Sequence, residues 1–133
     1  MQDRPTACEL LEAVRGFLES QVIPASTGGR QFHARVAANV LAIVARELRD
    51  EDAFLRSEWR RLAHLVDEPA GREPPADGGA LRAAVAALNA ALAARIRSGD
   101  ADREPERTAV VAHLRATVAD KLRIANPAYL EAG

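Results

Sequence analysis

Three polar side chains on one predicted helix are the strongest candidates for chemistry. Arg35, Asn39 and Arg46 are spaced by four and seven residues, which places them within about 40° of one another around an α-helix. Two guanidinium groups and an amide can bind a carboxylate or a phosphate. The same side chains can instead pair with glutamates or helix-end carbonyls inside the protein, or they can contribute to an oligomer or partner interface. The spacing alone leaves these possibilities open.

The residues that usually carry catalysis are few and scattered. His33, His64 and His113 fall on three different predicted helices, and no histidine lies near Cys8 in the sequence. The sequence contains no Glu-x-x-His, His-x-x-x-His or Cys-x-x-Cys spacing, and none of the common phosphate-loop or nucleophile-elbow motifs. We therefore expect no metal, no cofactor and no catalytic residue, and an enzyme is the less favoured class.

The composition indicates a helical domain. The chain has 133 residues with 29 alanines but only five aromatic residues, a balance that favours helices over sheets. The formal net charge of −1 argues against broad electrostatic binding to nucleic acid or to acidic membranes. A single cysteine fits a reducing compartment. The first residues lack the apolar run of a signal peptide, and the apolar stretch 36–45 is about half the length of a membrane span. We expect a cytoplasmic protein.

Apolar residues recur at helical spacing in five segments, so an all-α, up-and-down bundle with mostly antiparallel neighbours is predicted. Thr6 and Glu9 form a capping-box pattern at the start of the first predicted helix, and Asp50 is the predicted cap of the third. Gly99 is predicted to end the fourth helix in the left-handed backbone conformation. A loop rich in proline and glycine spans 67–79 within a single domain, 1–133. The predicted helices are 6–22, 30–49, 51–66, 79–98 and 105–125.

Two predicted helices have distinctive faces. The second is apolar on one side and alanine-rich on the other, so it can have neighbours on both sides and is predicted to be central. The fourth carries a narrow seam, beside which Asn89 can fix register. The seam consists of Leu81, Val85, Leu88, Leu92 and Ile96. The inner face predicted for the fifth helix consists of Val111, Leu114, Val118, Leu122 and Ala125.

Four blocks of the sequence carry a family resemblance. They are RPTACELLEAVR (4–15), FHARVAAN (32–39), IVAREL (43–48) and LRATVADKLRIANP (114–127). Together they resemble a small bacterial family of helical proteins of unknown function (DUF6285-like). The resemblance implies a setting beside, or fused to, proteins resembling aminoglycoside phosphotransferases and acyl-CoA dehydrogenases. It supplies no catalytic residues. Ligand or interface candidates inside these blocks are Arg35, Asn39, Arg46, Lys121 and Asn126.

Two functions remain for this sequence. The first is a non-enzymatic accessory module that docks on a protein partner, a phosphotransferase-like or acyl-CoA-dehydrogenase-like protein, with a homodimer as a further possibility. The alternative is a protein that binds a small anionic ligand, such as acyl-CoA or a phosphorylated metabolite, near Arg35, Asn39 and Arg46.

Overall fold

The computed structural model describes residues 4–69 and 71–131, and this part of the chain contains helices and no strand. The all-α prediction is therefore confirmed. A π-helical turn, Leu18–Val22, continues the first helix. The five α-helices are α1 (Ala7–Phe17), α2 (Gly28–Leu65), α3 (Gly78–Ser98), α4 (Glu106–Ala125) and α5 (Pro127–Glu131).

The predicted cap of the first helix is confirmed. The Glu9 amide donates to Thr6 Oγ1 at 3.3 Å, and the Thr6 amide donates to Glu9 Oε2 at 2.7 Å. This reciprocal pair satisfies two of the amides that a helix start leaves without partners. Pro24 follows the π-helical turn by two residues, where its ring prevents the helix from continuing.

The second and third predicted helices are one continuous helix, so the predicted cap at Asp50 was wrong. The stretch 47–53 contains neither proline nor glycine, and the backbone hydrogen bonding of α2 continues through it. The Asp50 carboxylate accepts instead from Arg49 Nε at 3.1 Å. The helix also begins earlier than predicted, at Gly28, whose φ of 57° is a conformation that glycine adopts without steric cost.

The chain divides into two compact units. The first comprises Met1–Glu51 with Ile124–Gly133, and the second comprises Asp52–Arg123. Helix α2 thus contributes 28–51 to the first unit and 52–65 to the second. The assignment of 1–133 to a single domain stays a prediction, because compactness of a unit does not establish independent folding.

The second unit is built on one apolar core. Helices α3 and α4 lie alongside the C-terminal part of α2, and the two run in different directions relative to it. Glu58 accepts from Asn89 at 2.9 Å and Asp67 from Arg95 at 3.0 Å, so α3 runs in the same direction as α2. The predicted antiparallel arrangement of sequential helices was therefore wrong for this pair. The stretch 66–77 carries the chain back to make this possible. The buried core residues are Trp59, Leu62, Leu81, Val85, Leu88, Leu92, Ala101 and Val110.

Helix α4 turns a different face inward from the one predicted. Val111, Leu114 and Val118 are 41–55% exposed, whereas Val110 and His113 are buried. Ala125 is also exposed, and Leu122 is half-buried. The inward positions carry polar groups that meet α2, so apolar periodicity pointed to the wrong face.

Helix α3 alone, among the described helices, is long and apolar enough to cross a membrane by length and composition, with a mean hydropathy of 1.3. Its large apolar residues Leu81, Val85, Leu88 and Leu92 lie in the core of the second unit, and most of its exposed positions are alanines. A core helix passes the same test, so the expectation of a cytoplasmic protein without a membrane partner stays a prediction.

Candidate interaction surface

In the first unit, α1 and α2 form an antiparallel pair. The Cys8 thiol lies 3.8 Å from the Ala45 carbonyl oxygen, and Gln31 Nε2 donates to the Ile23 carbonyl at 3.1 Å. Residues early in α1 therefore meet residues late in this part of α2, and the connecting turn lies at the other end. The half-buried Cys8 is thereby placed in the helix contact.

The contact surface of α2 in this unit consists of small side chains. Ala34, Ala38, Ala42 and Ala45 are 3–9% exposed, and Ser26 is the other buried residue of the unit's described part. Alanine methyl groups let two helices approach closely, but each removes little apolar area from water. The unit is consequently held together without one fully buried large side chain among its described residues.

The large apolar side chains described in the first unit divide into two groups: nine are exposed, and the rest are half-buried, among them Leu11, Leu18, Val22, Ile23, Leu41, Ile43 and Val44. We define the α1 stripe as Leu10, Val14 and Phe17, which are 51–58% exposed, and the α2 stripe as Phe32, Val36 and Val40, which are 45–63% exposed. The three residues of each stripe are three or four positions apart and so share one face of their helix. Leu48, Tyr129 and Leu130 are also exposed. We call these nine residues the first-unit apolar surface.

The α2 stripe lies on the opposite side of the helix from the buried alanines. Phe32, Val36 and Val40 each precede a buried alanine by two positions, which corresponds to about 200° around the helix axis. Exposed apolar groups of this extent mark interaction sites in soluble proteins. The sequence did predict neighbours on both sides of this helix. Within the first unit, the alanine side is covered and the large apolar side is exposed.

The charges of the two helices differ in sign. Helix α1 with its π-helical turn carries Glu9, Glu12 and Glu19 against Arg15, whereas 28–46 contains three arginines and no acidic residue. Arg15 already binds Glu12 at 2.7 Å and Glu19 at 3.6 Å. Among the described residues, neither Arg30 nor Arg35 of α2 forms an ion pair. The rest of α2 in the first unit, 47–51, adds one arginine and three acidic residues, so the net charge of 28–51 is +1, against −2 for α1 with its π-helical turn.

The structure separates the site residues predicted from the sequence. Arg46 Nε donates to the Ile124 carbonyl at 2.7 Å, which joins α2 to the end of α4 within the first unit. Arg35 and Asn39 are exposed on α2. Asn126 is exposed, and its carbonyl accepts from the Tyr129 amide at 3.1 Å at the start of α5. These contacts give Arg46 and Asn126 roles at helix ends.

Lys121, the fifth candidate, belongs to the other unit. Its side chain is exposed on α4. From the sequence, Lys121 could not be assigned separately from the other four candidates, because all five lie in the blocks that carry the resemblance. The residues of the first-unit apolar surface were not among the predicted site residues, although the two-sided apolar pattern of α2 was their signal.

Two adjoining clefts lie in the second unit and share His64, Leu65 and Ala109. Their volumes are about 360 and 300 Å³. Arg95, which lines the larger one, donates to the Leu65 carbonyl and the Asp67 carboxylate and so holds the end of α2. The cleft's basic group is thereby engaged in holding a helix end.

A polar cluster lines the smaller cleft. Arg61 donates to Asp120 at 3.3 Å and to Ser57 at 2.8 Å. His113 is 3% exposed, and burial, reinforced by the nearby Arg61 charge, lowers its pKa below the usual 6.5, although Glu58 acts in the opposite direction. The Arg61 Nε and His113 Nδ1 atoms have no hydrogen-bond partner within the described chain, and both are shielded from solvent. A ligand in the open cleft could not reach these two nitrogens, so we interpret the cluster as structural.

Metal-binding geometry was sought across the described ranges 4–69 and 71–131. No group of three or more His, Cys, Asp or Glu side chains there could hold an ion. His33 lies beside Phe32 with the ring centres 5.5 Å apart in an edge-to-face arrangement. That histidine is thus placed at the margin of the α2 stripe.

Comparison with known proteins gives one match. The family model described as a domain of unknown function, DUF6285, matches residues 24–129. No curated protein and no solved structure matches the chain. The matched segment covers most of the 133 residues, including α2, α3 and α4, and it leaves out α1. The chain belongs to the DUF6285 family.

Proposed function

We propose that the protein is a non-enzymatic interaction module whose first-unit apolar surface is covered by another protein chain. The observation that carries this proposal is the exposure of nine large apolar side chains in a unit whose fully buried positions, among the described residues, are four alanines and a serine. A unit that binds nothing would gain stability from the reverse arrangement, because large side chains contribute more when buried.

The exposed side chains are sufficient in size to support a complex. Covering the exposed half of a Val, Leu or Phe side chain is worth roughly 1 kcal/mol. Nine of them would contribute about 9 kcal/mol before the costs of association, and a micromolar complex corresponds to about 8 kcal/mol. The apolar groups alone thus suffice for a weak complex, and polar contacts at the rim would determine its specificity.

The class of hetero-partner comes from the resemblance. The resemblance implies a setting beside phosphotransferase-like and acyl-CoA-dehydrogenase-like proteins, so a protein of one of these two classes is the proposed partner. The chain then acts as an accessory subunit, and the chemistry is supplied by the enzyme that it binds.

Affinity capture of the tagged full-length protein from native cells tests this proposal. Wild type should retain an identified phosphotransferase-like or acyl-CoA-dehydrogenase-like protein, or a second copy of itself. Val36→Glu should release it, while Ala37→Glu, at the adjacent exposed position outside the α2 stripe, should retain it. A wild-type protein recovered alone and monomeric would overturn the proposal, as would equal retention by both variants.

A second candidate is a binder of a small anionic ligand at Arg35, Asn39 and Arg46. The exposed guanidinium of Arg35, which has no ion pair among the described residues, supports it, although Arg46 Nε is engaged by a carbonyl. A ligand that binds the native state raises the melting temperature. Thermal shift with coenzyme A, acyl-CoA, ATP and sugar phosphates should then show an increase that Arg35→Ala abolishes. Absence of a shift in wild type would reject this candidate.

A further inference from the structure

We infer that the partner protein contacts the α2 stripe through an amphipathic helix whose apolar side is bordered by acidic side chains. The inference rests on the proposed function, since it names the chemistry of the partner at one part of the first-unit apolar surface. It concerns the α2 stripe alone, because α1 packs on the opposite, alanine side of α2 and the stripe stays 45–63% exposed.

The α2 stripe has the dimensions of a contact with one helix. Phe32 and Val40 are eight residues apart, so the stripe is about 12 Å long, slightly more than two turns. Its three side chains lie within about 80° of one another around the helix axis. A partner helix with apolar residues three and four positions apart presents a stripe of the same width. Such a helix can pack lengthwise on α2, as helix pairs do in proteins.

Polar side chains with hydrogen-bond donors border the stripe on both edges. Around the helix axis, Asn39 and Arg35 lie about 60° and about 100° from Val36 on one side, and Arg30 lies about 120° from it on the other. All three polar side chains are exposed, and within 4–69 and 71–131 none of them forms a hydrogen bond or an ion pair. Their donors are therefore available to acceptors on another chain.

The charge of this part of α2 selects an acidic partner helix. The segment 28–46 contains three arginines and no acidic residue, and Arg46 Nε is engaged by the Ile124 carbonyl. Arg35 and Asn39 are one turn apart on the same edge, so a glutamate of the partner can accept from both. A lysine in that place would meet the guanidinium of Arg35, and like charges across an interface disfavour binding.

An anionic membrane also attracts an apolar stripe with arginines at its edges, but the same face of α2 disfavours it. The exposed Glu47 lies about 20° from Val36 around the helix axis. On a flat membrane surface its carboxylate would approach the anionic headgroups, which repel it. A partner helix that spans only the α2 stripe ends before Glu47. The observations therefore favour a protein helix.

The test uses two synthetic model helices as probes of the purified full-length protein. Both carry leucines at helical spacing on one face, and this face is bordered by glutamates in one helix and by lysines in the other. The glutamate helix should bind wild type about tenfold more tightly. NMR titration measures both affinities, and the largest shifts should occur at the methyl groups of Val36 and Val40. Added salt should reduce the difference, because it screens charge pairs.

A charge reversal at one edge of the stripe identifies the contact. Arg35→Glu should weaken binding of the glutamate helix by about threefold or more and should strengthen binding of the lysine helix. Arg60→Glu makes the same charge change at an exposed position of the second unit and should keep the wild-type preference. Circular dichroism should show unchanged helix content in both variants, because both side chains are exposed.

Four outcomes overturn the inference. They are no binding of either model helix to wild type, equal binding of the two helices, an equal change in both variants, and binding to phosphatidylserine-containing vesicles in preference to the glutamate helix. None of the four removes the proposed function if affinity capture recovers a partner that Val36→Glu releases. Failure of that capture overturns the proposed function by itself.

Discussion

The two units of this protein are both built from helices, but they differ in which apolar side chains they bury. In the second unit, Trp59 is 4% exposed and Leu62 and Leu81 are fully buried, so large side chains fill the space between helices. In the first unit, the buried positions of α2 are alanines, the large apolar side chains are at best half-buried, and Phe17 and Phe32 are about 60% exposed. The second unit buries large apolar side chains in a core of its own, whereas the first unit exposes nine large apolar side chains on its surface.

The difference indicates where a binding function would lie, since no metal-binding group of side chains occurs within residues 4–69 and 71–131. A polar cluster in a cleft is the usual place to look for a site, but the cleft-lining Arg61 and His113 of the second unit are joined to the core and serve its packing. The first unit instead exposes nine of its large apolar side chains to solvent. An exposed apolar surface of that kind has a physical explanation once another chain covers it.

Truncating one leucine in each unit gives the largest contrast. Leu81→Ala should lower the free energy of unfolding by about 2–5 kcal/mol, because it leaves a cavity in a fully buried position. Leu48→Ala, at a position 56% exposed, should change it by no more than about 0.5 kcal/mol. Urea unfolding followed by circular dichroism measures both. Equal losses at the two leucines would remove the distinction between the units.

Enlarging an alanine tests the close contact in the first unit. Ala45 is 3% exposed and its carbonyl lies 3.8 Å from the Cys8 thiol. Ala45→Leu should therefore overpack the α1–α2 contact and cost about 1–3 kcal/mol. The exposed Ala37→Leu is the matched control and should be nearly neutral. A stabilised Ala45→Leu protein would show that the alanine contact is not closely packed.

Removing the hydrogen bond that joins α2 to the end of α4 has a smaller effect. Arg46→Met keeps most of the apolar stem but leaves the Ile124 carbonyl without its 2.7 Å donor. We expect a loss of about 1 kcal/mol in unfolding free energy and faster hydrogen exchange in α5. Arg35→Met, at an exposed position on the same helix, should leave both quantities as in wild type. If Arg46→Met were as stable as wild type, the structural role of Arg46 would be contradicted, and ligand binding would remain the alternative role for this residue.

Acid should weaken the second unit slightly through His113. Because burial lowers the pKa of this histidine in the folded state, the unfolded chain takes up a proton first as the pH falls below about 6.5. Stability is therefore complete above that pH and decreases by at most about 0.7 kcal/mol between pH 7 and pH 6. Urea titrations at the two pH values should show this decrease in wild type. Against wild type, His113→Gln should lack that part of the decrease, and an unchanged pH dependence would contradict the assignment.

Much of the fold follows from local sequence signals. The capping box at Thr6 and the left-handed stop at Gly99 with φ of 85° were predicted and are confirmed. The predicted seam is confirmed from Leu81 to Leu92 but not at its last residue, Ile96, which is 41% exposed. These features depend on residues close together in the chain, where one side chain or one glycine decides the local backbone. Asp50 is not a cap, because a residue of this type begins a new helix only where the preceding helix has ended, and the neighbouring sequence lets α2 continue.

The faces of the helices were harder to predict because they depend on distant partners. Val111, Leu114 and Val118 have the periodicity of an inner face, yet the Arg61–Asp120 contact places a different side of α4 against α2. On α2, the alanines and the large apolar residues make equally valid faces in the sequence. Hydropathy alone could not predict which of these two faces of α2 is buried within the chain.

The most direct test of the interaction surface compares the solvent accessibility of individual valine methyl groups in the isolated protein and in the complex recovered by affinity capture. A soluble paramagnetic probe broadens the NMR signals of exposed methyls, and Val111 and Val118 of the second unit are internal references at 41% and 55% exposure. In the complex, Val14, Val36 and Val40 should be clearly less broadened than these references, whereas in the isolated monomer they should be broadened to a similar degree. Equal broadening of the first-unit and second-unit valines in the complex would contradict the interaction surface.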